Sequence, residues 1–239
     1  MKQIILTLLL VTLSGCKLID SVAKGNLYPA PDNASTEELG LYIGEGDNLI
    51  VFLHGNGMDV KSVEDSGLTE LLRKYGTVAV PEYPGYGPVE GEPNQQSIVD
   101  RVDMTLQALK LTLPNHKVII MGWSLGAAVA AQVADKADVL ILVSPWTSFK
   151  DAAMEHPFKL LLRFVSKSFF QENEWDTLSK VSQVKVKATV IHGVNDNLIP
   201  VEQGKLVAEA LGVEPILIEG AGHNDIFLHV WDYLDSFLN

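Results

Sequence analysis

The chain has 239 residues, 47% of them hydrophobic, and a formal net charge of −12 at pH 7. This acidic balance argues against binding to nucleic acid or to anionic lipid, because both carry charge of the same sign. A single cysteine, Cys16, excludes an internal disulfide and a metal site built from cysteines. The sequence has no HExxH motif, Walker loop or cluster of metal ligands, and we expect no cofactor.

The first residues have the pattern of a targeting segment. A short basic start, residues 1–3, precedes an apolar run over residues 4–13 that is too short to cross a bilayer as a helix, which takes about 20 residues. The run ends in Leu-Ser-Gly-Cys at residues 13–16, which resembles the lipobox of bacterial lipoproteins. That resemblance implies cleavage before Cys16, acylation of Cys16 and a lipid-anchored position in the bacterial cell envelope. An ordinary signal peptide with an incidental cysteine is the alternative.

These features divide the chain into three segments. We expect a lipoprotein signal peptide over residues 1–15 and an acylated N-terminus with a tether over residues 16–38. The tether is predicted because residues 17–38 are polar and carry prolines at 29 and 31. Residues 39–239 remain, about 200 residues, which suffice for one domain with a sizeable core.

Apolar and amphipathic segments alternate along this domain. Predicted strands cover residues 49–53, 77–80, 118–121, 139–143, 188–191 and 216–218. Predicted helices cover residues 67–74, 95–110, 126–136, 201–211 and 226–238. Such alternation predicts an α/β fold with a mostly parallel sheet and helices on both faces. Residues 41–43 are the one candidate for an additional N-terminal antiparallel strand.

Two glycine-rich loops follow the first two predicted strands. Residues 54–57 read His-Gly-Asn-Gly, and residues 81–87 read Pro-Glu-Tyr-Pro-Gly-Tyr-Gly. Open α/β sheets place their sites at the carboxyl ends of parallel strands, so both loops are expected to border a site. The second loop also has the composition of an ordinary turn with aromatic packing. We interpret His54 as a structural residue or as one that orients its loop.

The pentapeptide Gly-Trp-Ser-Leu-Gly, residues 122–126, lies between a predicted strand and a helix rich in small residues. A G-x-S-x-G sequence in this context is typical of a nucleophile elbow. The sharp turn would strain the backbone of Ser124 and leave its hydroxyl exposed. Side chains in place of Gly122 and Gly126 would collide with neighbouring backbone. The pentapeptide alone is a weak indication, since glycine and serine are common.

A carboxylate and an imidazole follow the last two predicted strands. Asp196 lies in the loop after residues 188–191, and His223 lies in the loop after residues 216–218. Asp196 also suits a simple turn, because Asn-Asp-Asn is favourable turn chemistry. Asp225 is the other carboxylate that could pair with His223. At only two residues from His223, however, it is better placed to cap a helix beginning near residue 226. We interpret His192, like His54, as a structural or loop-orienting residue.

Four of these motifs resemble those of the α/β-hydrolase superfamily over residues 40–239: the loop at residues 54–57, the pentapeptide and the loops that carry Asp196 and His223. The resemblance implies an α/β-hydrolase fold without a large cap domain. It also implies a Ser-His-Asp triad, with Ser124 as nucleophile, His223 as base and Asp196 as the acid that orients the base. The backbone N–H groups of Leu125 and Asn56 are the implied donors of an oxyanion hole.

The loop at residues 81–87 is similar to a Y-R-G-Y-G loop in the Bem46/ABHD13/ABHD17-like branch of that superfamily. Members of the branch include protein depalmitoylases, which points to palmitate or another acyl group in the substrate. The chain departs from the pattern of the branch at Pro84 and at Trp123. These departures concern the substrate class and leave the reaction type untouched.

The sequence therefore predicts a membrane-tethered serine hydrolase that cleaves carboxylic ester or thioester bonds through an acyl-enzyme. Its expected partners are a small-molecule or acyl-modified substrate and a membrane that holds the lipid anchor, with no nucleic acid. A serine peptidase or amidase of the same fold is one alternative. The other is a catalytically silent scaffold that binds a ligand or partner at the envelope.

Residues 146–175 separate a strand from the acid loop and are rich in aromatic and aliphatic side chains. The spacing of Phe158, Leu161, Leu162 and Val165 predicts an amphipathic helix. That helix would either pack on the domain or form one wall of an apolar acyl pocket, as a lid does in many relatives. At about 30 residues the segment is too short for a separate cap domain.

Overall fold

The computed structural model describes residues 17–29, 31, 34–155 and 165–239. The predicted signal peptide and Cys16 lie outside the described residues, so their cleavage and acylation stay predictions. Within the described ranges, none of the helices combines the length and the apolar character that crossing a membrane requires.

Within the described residues, seven strands form one sheet in the order β1-β3-β2-β4-β5-β6-β7. Only the pairing of β1 with β3 is antiparallel, and every other neighbouring pair is parallel. The strands are β1 (Leu39–Tyr42), β2 (Asn48–Leu53), β3 (Thr77–Pro81), β4 (Lys117–Trp123), β5 (Val139–Val143), β6 (Lys187–Gly193) and β7 (Ile216–Ile218). The predicted α/β fold is confirmed, and all six predicted strands are present. The candidate segment 41–43 overlaps the antiparallel edge strand β1.

Helices cover both faces of this sheet. They are α1 (residues 17–27), α2 (Val60–Asp65), α3 (Leu68–Leu72), α4 (Gln95–Thr112), α5 (Leu125–Gln132), α6 (Phe149–Glu155), α7 (Lys167–Glu172), α8 (Thr177–Val181), α9 (Val201–Leu211) and α10 (Trp231–Leu238). The predicted helix over residues 226–238 is instead split, with a 3₁₀ turn at Ile226–Leu228 before α10. The predicted helix over residues 126–136 likewise ends as a 3₁₀ turn, Ala134–Lys136.

Alternate residues of the central strands β2 to β6 belong to different cores. In β2, Leu49, Val51 and Leu53 join the cluster beneath α4, α5, α8 and α9, whereas Ile50 and Phe52 face α2, α3 and α10. A strand buried on both faces needs apolar residues at every position, which explains its continuous hydrophobic run. Each fully buried aliphatic side chain contributes about 1.5–3 kcal/mol to stability. The two cores hold the sheet rigid beneath the loops at its carboxyl edge.

The segment after Cys16, which was expected to act as a tether, begins with a helix. Residues 17–27 form the helix α1, and Leu27 and Tyr28 are buried in the main core. The Tyr28 hydroxyl donates to Oδ1 of Asn173 at 2.5 Å and accepts a hydrogen bond from Nε1 of Trp175 at 2.9 Å. Polar composition concealed these two anchoring residues. The segment is therefore docked on the domain over residues 17–29.

The aromatic segment between β5 and β6 packs on the domain where the structure describes it. Phe149, Phe169 and Phe170 contact one another in α6 and α7, and Trp146 contacts Phe149 edge to face. Phe169 is buried in the main core. The predicted helix through Phe158 falls largely on residues 156–164, which lie outside the described residues. A lid there stays a prediction.

Candidate active site

Ser124 occupies a sharp turn between β4 and α5. Its backbone has φ 57° and ψ −118°, a left-handed conformation that serine rarely adopts. A Cβ on Gly122 would lie 2.1 Å from the carbonyl oxygen of Gly126, and a Cβ on Gly126 would lie 1.9 Å from that of Leu53. Both contacts are far too short, so only glycine fits at either position, as the sequence predicted.

The structure brings Ser124, His223 and Asp196 together from three loops at the carboxyl edge of the sheet. Nε2 of His223 lies 3.0 Å from Oγ of Ser124, and Nδ1 of the same ring lies 2.7 Å from Oδ2 of Asp196. The carboxylate can only accept, so Nδ1 donates to it and Nε2 is left to accept from the serine hydroxyl. This tautomer is the one in which the imidazole can take a proton from serine.

The surroundings of Asp196 keep its carboxylate charged. Burial alone would raise its pKa, but hydrogen bonds from His192, His223 and the N–H of Ile199 outweigh burial and hold the pKa well below the usual range. Oδ1 accepts the N–H groups of Leu198 and Ile199 at 2.9 and 2.8 Å, which leaves Oδ2 for His223. The charge is therefore directed at the imidazole.

The serine hydroxyl is less accessible than the turn predicted. Ser124 is 5% exposed and His223 is 7% exposed. The reason is the hydrogen bond itself, because it lays the imidazole ring against the serine. The Trp123 ring, 5.3 Å from that of His223, packs on the same side. All three side chains, including Asp196 at 6% exposed, are therefore buried.

Asp225 does not act as the predicted helix cap. Its carboxylate makes no capping hydrogen bond to the 3₁₀ turn that follows, and instead its Oδ1 accepts the N–H of Gly222 at 2.6 Å. The expectation failed because a 3₁₀ turn, and no α-helix, begins at Ile226. Asp225 thus fixes the backbone just before His223.

The two expected oxyanion donors lie at the ends of adjacent strands. Leu125 is the first residue of α5, where backbone N–H groups have no partner within the helix. In the described part of the chain, no backbone carbonyl or side chain accepts a hydrogen bond from the N–H of Leu125 or of Asn56. The side-chain amide of Asn56 donates to the carbonyl of Asn26, just before the end of α1, at 3.3 Å.

The two other histidines at strand ends are buried and hold loops. His192 donates from Nε2 to the carbonyl of Ile199 at 2.9 Å and lies 3.4 Å from Oδ2 of Asp196. His54 lies with Nε2 3.2 Å from Oε1 of the buried Glu82. Sequence reasoning missed Glu82, although a charged residue directly after a buried strand was a usable indication.

Among the described residues, no group of three His, Cys, Asp or Glu side chains could hold a metal ion. The arrangement supplies a hydroxyl, an acceptor for its proton, a buried anion behind that acceptor and unpaired amides nearby. These are the parts that acyl transfer through a serine requires.

Residues 50–182 match the profile of the alpha/beta hydrolase family. A putative alpha/beta hydrolase, L404, of Acanthamoeba polyphaga mimivirus is 33% identical over 187 residues, covering 74% of this chain and 67% of the relative. The alpha/beta hydrolase domain-containing protein aho-3 of Caenorhabditis elegans is 28% identical over 203 residues, covering 80% of this chain and 57% of the relative. The alpha/beta hydrolase domain-containing protein 17B of Xenopus laevis is 28% identical over 187 residues, covering 75% of this chain and 62% of the relative.

Solved structures share the fold at lower identity. A monoacylglycerol lipase of Paleococcus ferrophilus superposes with a TM-score of 0.58 at 18% identity, covering 78% of this chain and 90% of that one. An esterase of Pyrococcus furiosus gives a TM-score of 0.63 at 18% identity, with 81% and 79% covered. The profile match and the viral relative establish the identity: the chain belongs to the alpha/beta hydrolase family.

Proposed function

We propose that this protein is a serine hydrolase that cleaves carboxylic ester or thioester bonds through an acyl-enzyme on Ser124. The observation that carries the proposal is the hydrogen-bonded series from Ser124 through His223 to Asp196, at 3.0 and 2.7 Å. A serine hydroxyl is a weak nucleophile at neutral pH and needs an adjacent base. A general base and a buried carboxylate within hydrogen-bond reach supply that requirement.

In the first half of the proposed reaction, Oγ of Ser124 attacks the carbonyl carbon while Nε2 of His223 takes the hydroxyl proton. The tetrahedral oxyanion accepts hydrogen bonds from the N–H groups of Leu125 and Asn56. His223 then gives its proton to the leaving alcohol or thiol as the carbon–oxygen or carbon–sulfur bond breaks. An acyl ester on Ser124 remains.

In the second half, water attacks this acyl ester and His223 takes a proton from the water. Collapse of the second tetrahedral species returns the proton to Oγ of Ser124 and releases the carboxylic acid. Asp196 stabilises the imidazolium that forms in each half, without itself taking the proton. Each oxyanion donor of this kind is worth about 2.7–4 kcal/mol of transition-state stabilisation.

The substrate class rests on the relatives by analogy. The names of the superposed structures include an esterase and a monoacylglycerol lipase, and some of the relatives are alpha/beta hydrolase domain-containing proteins 17B and 17C. These names support an acyl ester as substrate, and the resemblance of the loop at residues 81–87 adds the acyl-modified thiol. Since the chain spans 57 to 67% of the length of the first relatives, their whole activities are not carried over.

The decisive experiment uses the full chain, purified in detergent, with p-nitrophenyl butyrate and a fluorophosphonate probe. We expect turnover and covalent labelling, and loss of both in Ser124→Ala, at about 10⁶-fold in kcat for a removed nucleophile. A folded protein that neither reacts nor is labelled would favour the silent scaffold. Faster cleavage of an anilide than of the matched ester would favour the peptidase.

We also propose that acylation of Cys16 anchors the protein to a membrane of the bacterial envelope. The support is the Leu-Ser-Gly-Cys sequence after an apolar run of signal-peptide length. Acyl chains contribute about 0.8 kcal/mol per buried CH₂, so two or more chains hold a protein stably. The anchor would keep the site near acyl groups at a membrane surface.

A further inference from the structure

A buried contact joins the loop after β2 to the loop after β3. Nε2 of His54 lies 3.2 Å from Oε1 of Glu82, and both side chains are 0% exposed. The imidazole also stacks on the ring of Tyr83, with 4.0 Å between the centroids. The proposed mechanism uses none of these three residues. A charged pair without solvent is costly unless its hydrogen bonds are complete, so its partners define its role.

The hydrogen bonds of this pair are complete. The Glu82 carboxylate accepts the N–H of Val60 at 3.0 Å and the N–H of Tyr83 at 3.1 Å. Nδ1 of His54 lies 3.1 Å from the carbonyl oxygen of Gly55, an atom that can only accept. The ring therefore donates from Nδ1 to Gly55, while Nε2 shares a hydrogen bond with Glu82.

The atom that His54 holds belongs to the peptide that carries the expected oxyanion donor. The carbonyl of Gly55 and the N–H of Asn56 share one planar unit and point in opposite directions. A hydrogen bond that fixes the Gly55 oxygen therefore also fixes the direction of the Asn56 N–H. The Tyr83 hydroxyl donates to the carbonyl of His54 at 3.1 Å, which fixes the preceding peptide in the same way.

We propose that Glu82 and His54 form a positioning pair that aims the Asn56 N–H at the substrate oxyanion, with Tyr83 as its support. This inference rests on the proposed hydrolase function and assigns a role to the second glycine-rich loop. Neither residue needs to touch the substrate. Glu82 acts on His54, His54 acts on the Gly55–Asn56 peptide, and that peptide donates to the developing negative charge.

Glu82→Gln is the sharpest test because it keeps shape and volume. Whichever way the amide turns, its NH₂ faces a backbone N–H, either that of Val60 or that of Tyr83, so one donor meets another. We expect kcat for p-nitrophenyl butyrate to fall by about 10²-fold, the scale of a displacement of about 1 Å in an active site. The KM should change less than about two-fold, because the ground-state ester makes little use of the oxyanion donor.

A second readout separates positioning from a general loss of stability. Butylboronic acid forms a tetrahedral adduct on serine whose oxygen occupies the oxyanion position, so its Ki should rise in parallel with the fall in kcat. The matched control is Asn48→Ala at the opposite end of β2, where the side chain donates to the carbonyls of Tyr75 and Leu238. We expect this control to lower the Tm and to leave kcat and the boronate Ki unchanged.

Tyr83→Phe keeps the experiment decisive should Glu82→Gln fail to fold. It removes only the Tyr83 hydroxyl, which donates to the carbonyl of His54. We expect kcat to fall by about five-fold, the scale of one neutral hydrogen bond. Glu82→Asp, which keeps the charge, should retain more activity than Glu82→Gln. If the wild type is active and the folded variants keep its kcat and boronate Ki, the positioning pair is overturned and the proposed function stands. A wild type without esterase activity or probe labelling would overturn the proposed function, and this inference with it.

Discussion

Asp196 links the acid stability of the protein to its proposed mechanism. Its pKa is lowered in the folded protein, so below about pH 5 the unfolded chain binds more protons at this residue than the folded chain does. The stability that it contributes is present above its unfolded pKa of about 4 and is lost as the pH falls toward the folded pKa. We expect Asp196→Asn to flatten the fall of the unfolding free energy between pH 5 and pH 3. Urea unfolding at several pH values measures this slope, and an unchanged slope would contradict the prediction.

The same residue also allows the rival acid to be tested. Asp196→Asn should lower kcat by about 10⁴-fold, because an amide can stabilise the wrong imidazole tautomer and cannot stabilise the imidazolium. Asp225→Asn should stay within ten-fold of wild type, since an amide oxygen can still accept the N–H of Gly222. Ester hydrolysis at neutral pH by both variants provides the comparison. The reverse order of activities would transfer the role of acid to Asp225.

The residues with a fixed pattern around them were predictable. Ser124, Asp196 and His223 each follow a strand within a recognisable motif, and the structure brings all three into hydrogen-bond contact. Glu82 was not predicted, because one sequence cannot show that a carboxylate is buried opposite a histidine 28 residues earlier. Burial of a charge depends on which loops meet, and that is a property of the assembled sheet.

At the scale of an element, the contact between β2 and α5 leaves no space at Gly126. We expect Gly126→Ala to destabilise the protein by about 1–3 kcal/mol or more, because the new Cβ would lie 1.9 Å from the carbonyl of Leu53. Gly25→Ala in α1 is the matched control, since nothing lies within 4 Å of its Cβ. Alanine is the better helix former, so this control should be neutral or stabilising by up to about 1 kcal/mol. Thermal unfolding compares the two, and equal effects would contradict the prediction.

The docking of α1 gives a prediction for the N-terminal segment. Tyr28→Phe leaves the Nε1–H of Trp175 and the Oδ1 of Asn173 without their partner, so we expect a loss of about 1–3 kcal/mol. Tyr233→Phe, on a side chain 45% exposed, should change stability by less than about 0.5 kcal/mol. Chemical denaturation of both proteins gives the difference. Equal stabilities would show that the segment is not held at Tyr28.

Element types were more predictable than element ends. Strands with continuous apolar residues and the helix Val201–Leu211 matched their predicted positions, since burial fixes both pattern and length. The helix over residues 17–27 was not predicted, and its docking depends on contacts of Leu27 and Tyr28 with distant residues. Local composition carries no information about such contacts.

At the scale of the whole molecule, the anchor is tested by replacing one atom. Cys16→Ser removes the sulfur that the acyl group requires, so we expect the protein to move from the membrane fraction to the soluble fraction in the native host. The wild type should stay in the membrane fraction during a wash with 1 M salt, because an acyl anchor does not depend on charge. Continued membrane association of Cys16→Ser would count against acylation. Esterase activity in detergent should be equal in both proteins.

The order of the strands follows from the folding of the whole chain. Parallel neighbours joined by helices were predictable from the alternation of patterns, whereas the place of β1 beside β3 was not. That strand has four residues and lies at the sheet edge, where few side chains are buried. Short edge strands carry a weak sequence pattern because only one neighbour constrains them.

The firm seating of α1 has a spatial consequence under the proposed anchoring. Residues 17–27 form a helix of about 16 Å at 1.5 Å per residue, and near its end the carbonyl of Asn26 accepts a hydrogen bond from the Asn56 side chain. A flexible linker of the same number of residues would let the domain change its distance from the bilayer and its orientation. The docked helix instead fixes the height and tilt of the domain above the membrane. The active site would then not reach acyl groups far above the lipid headgroups.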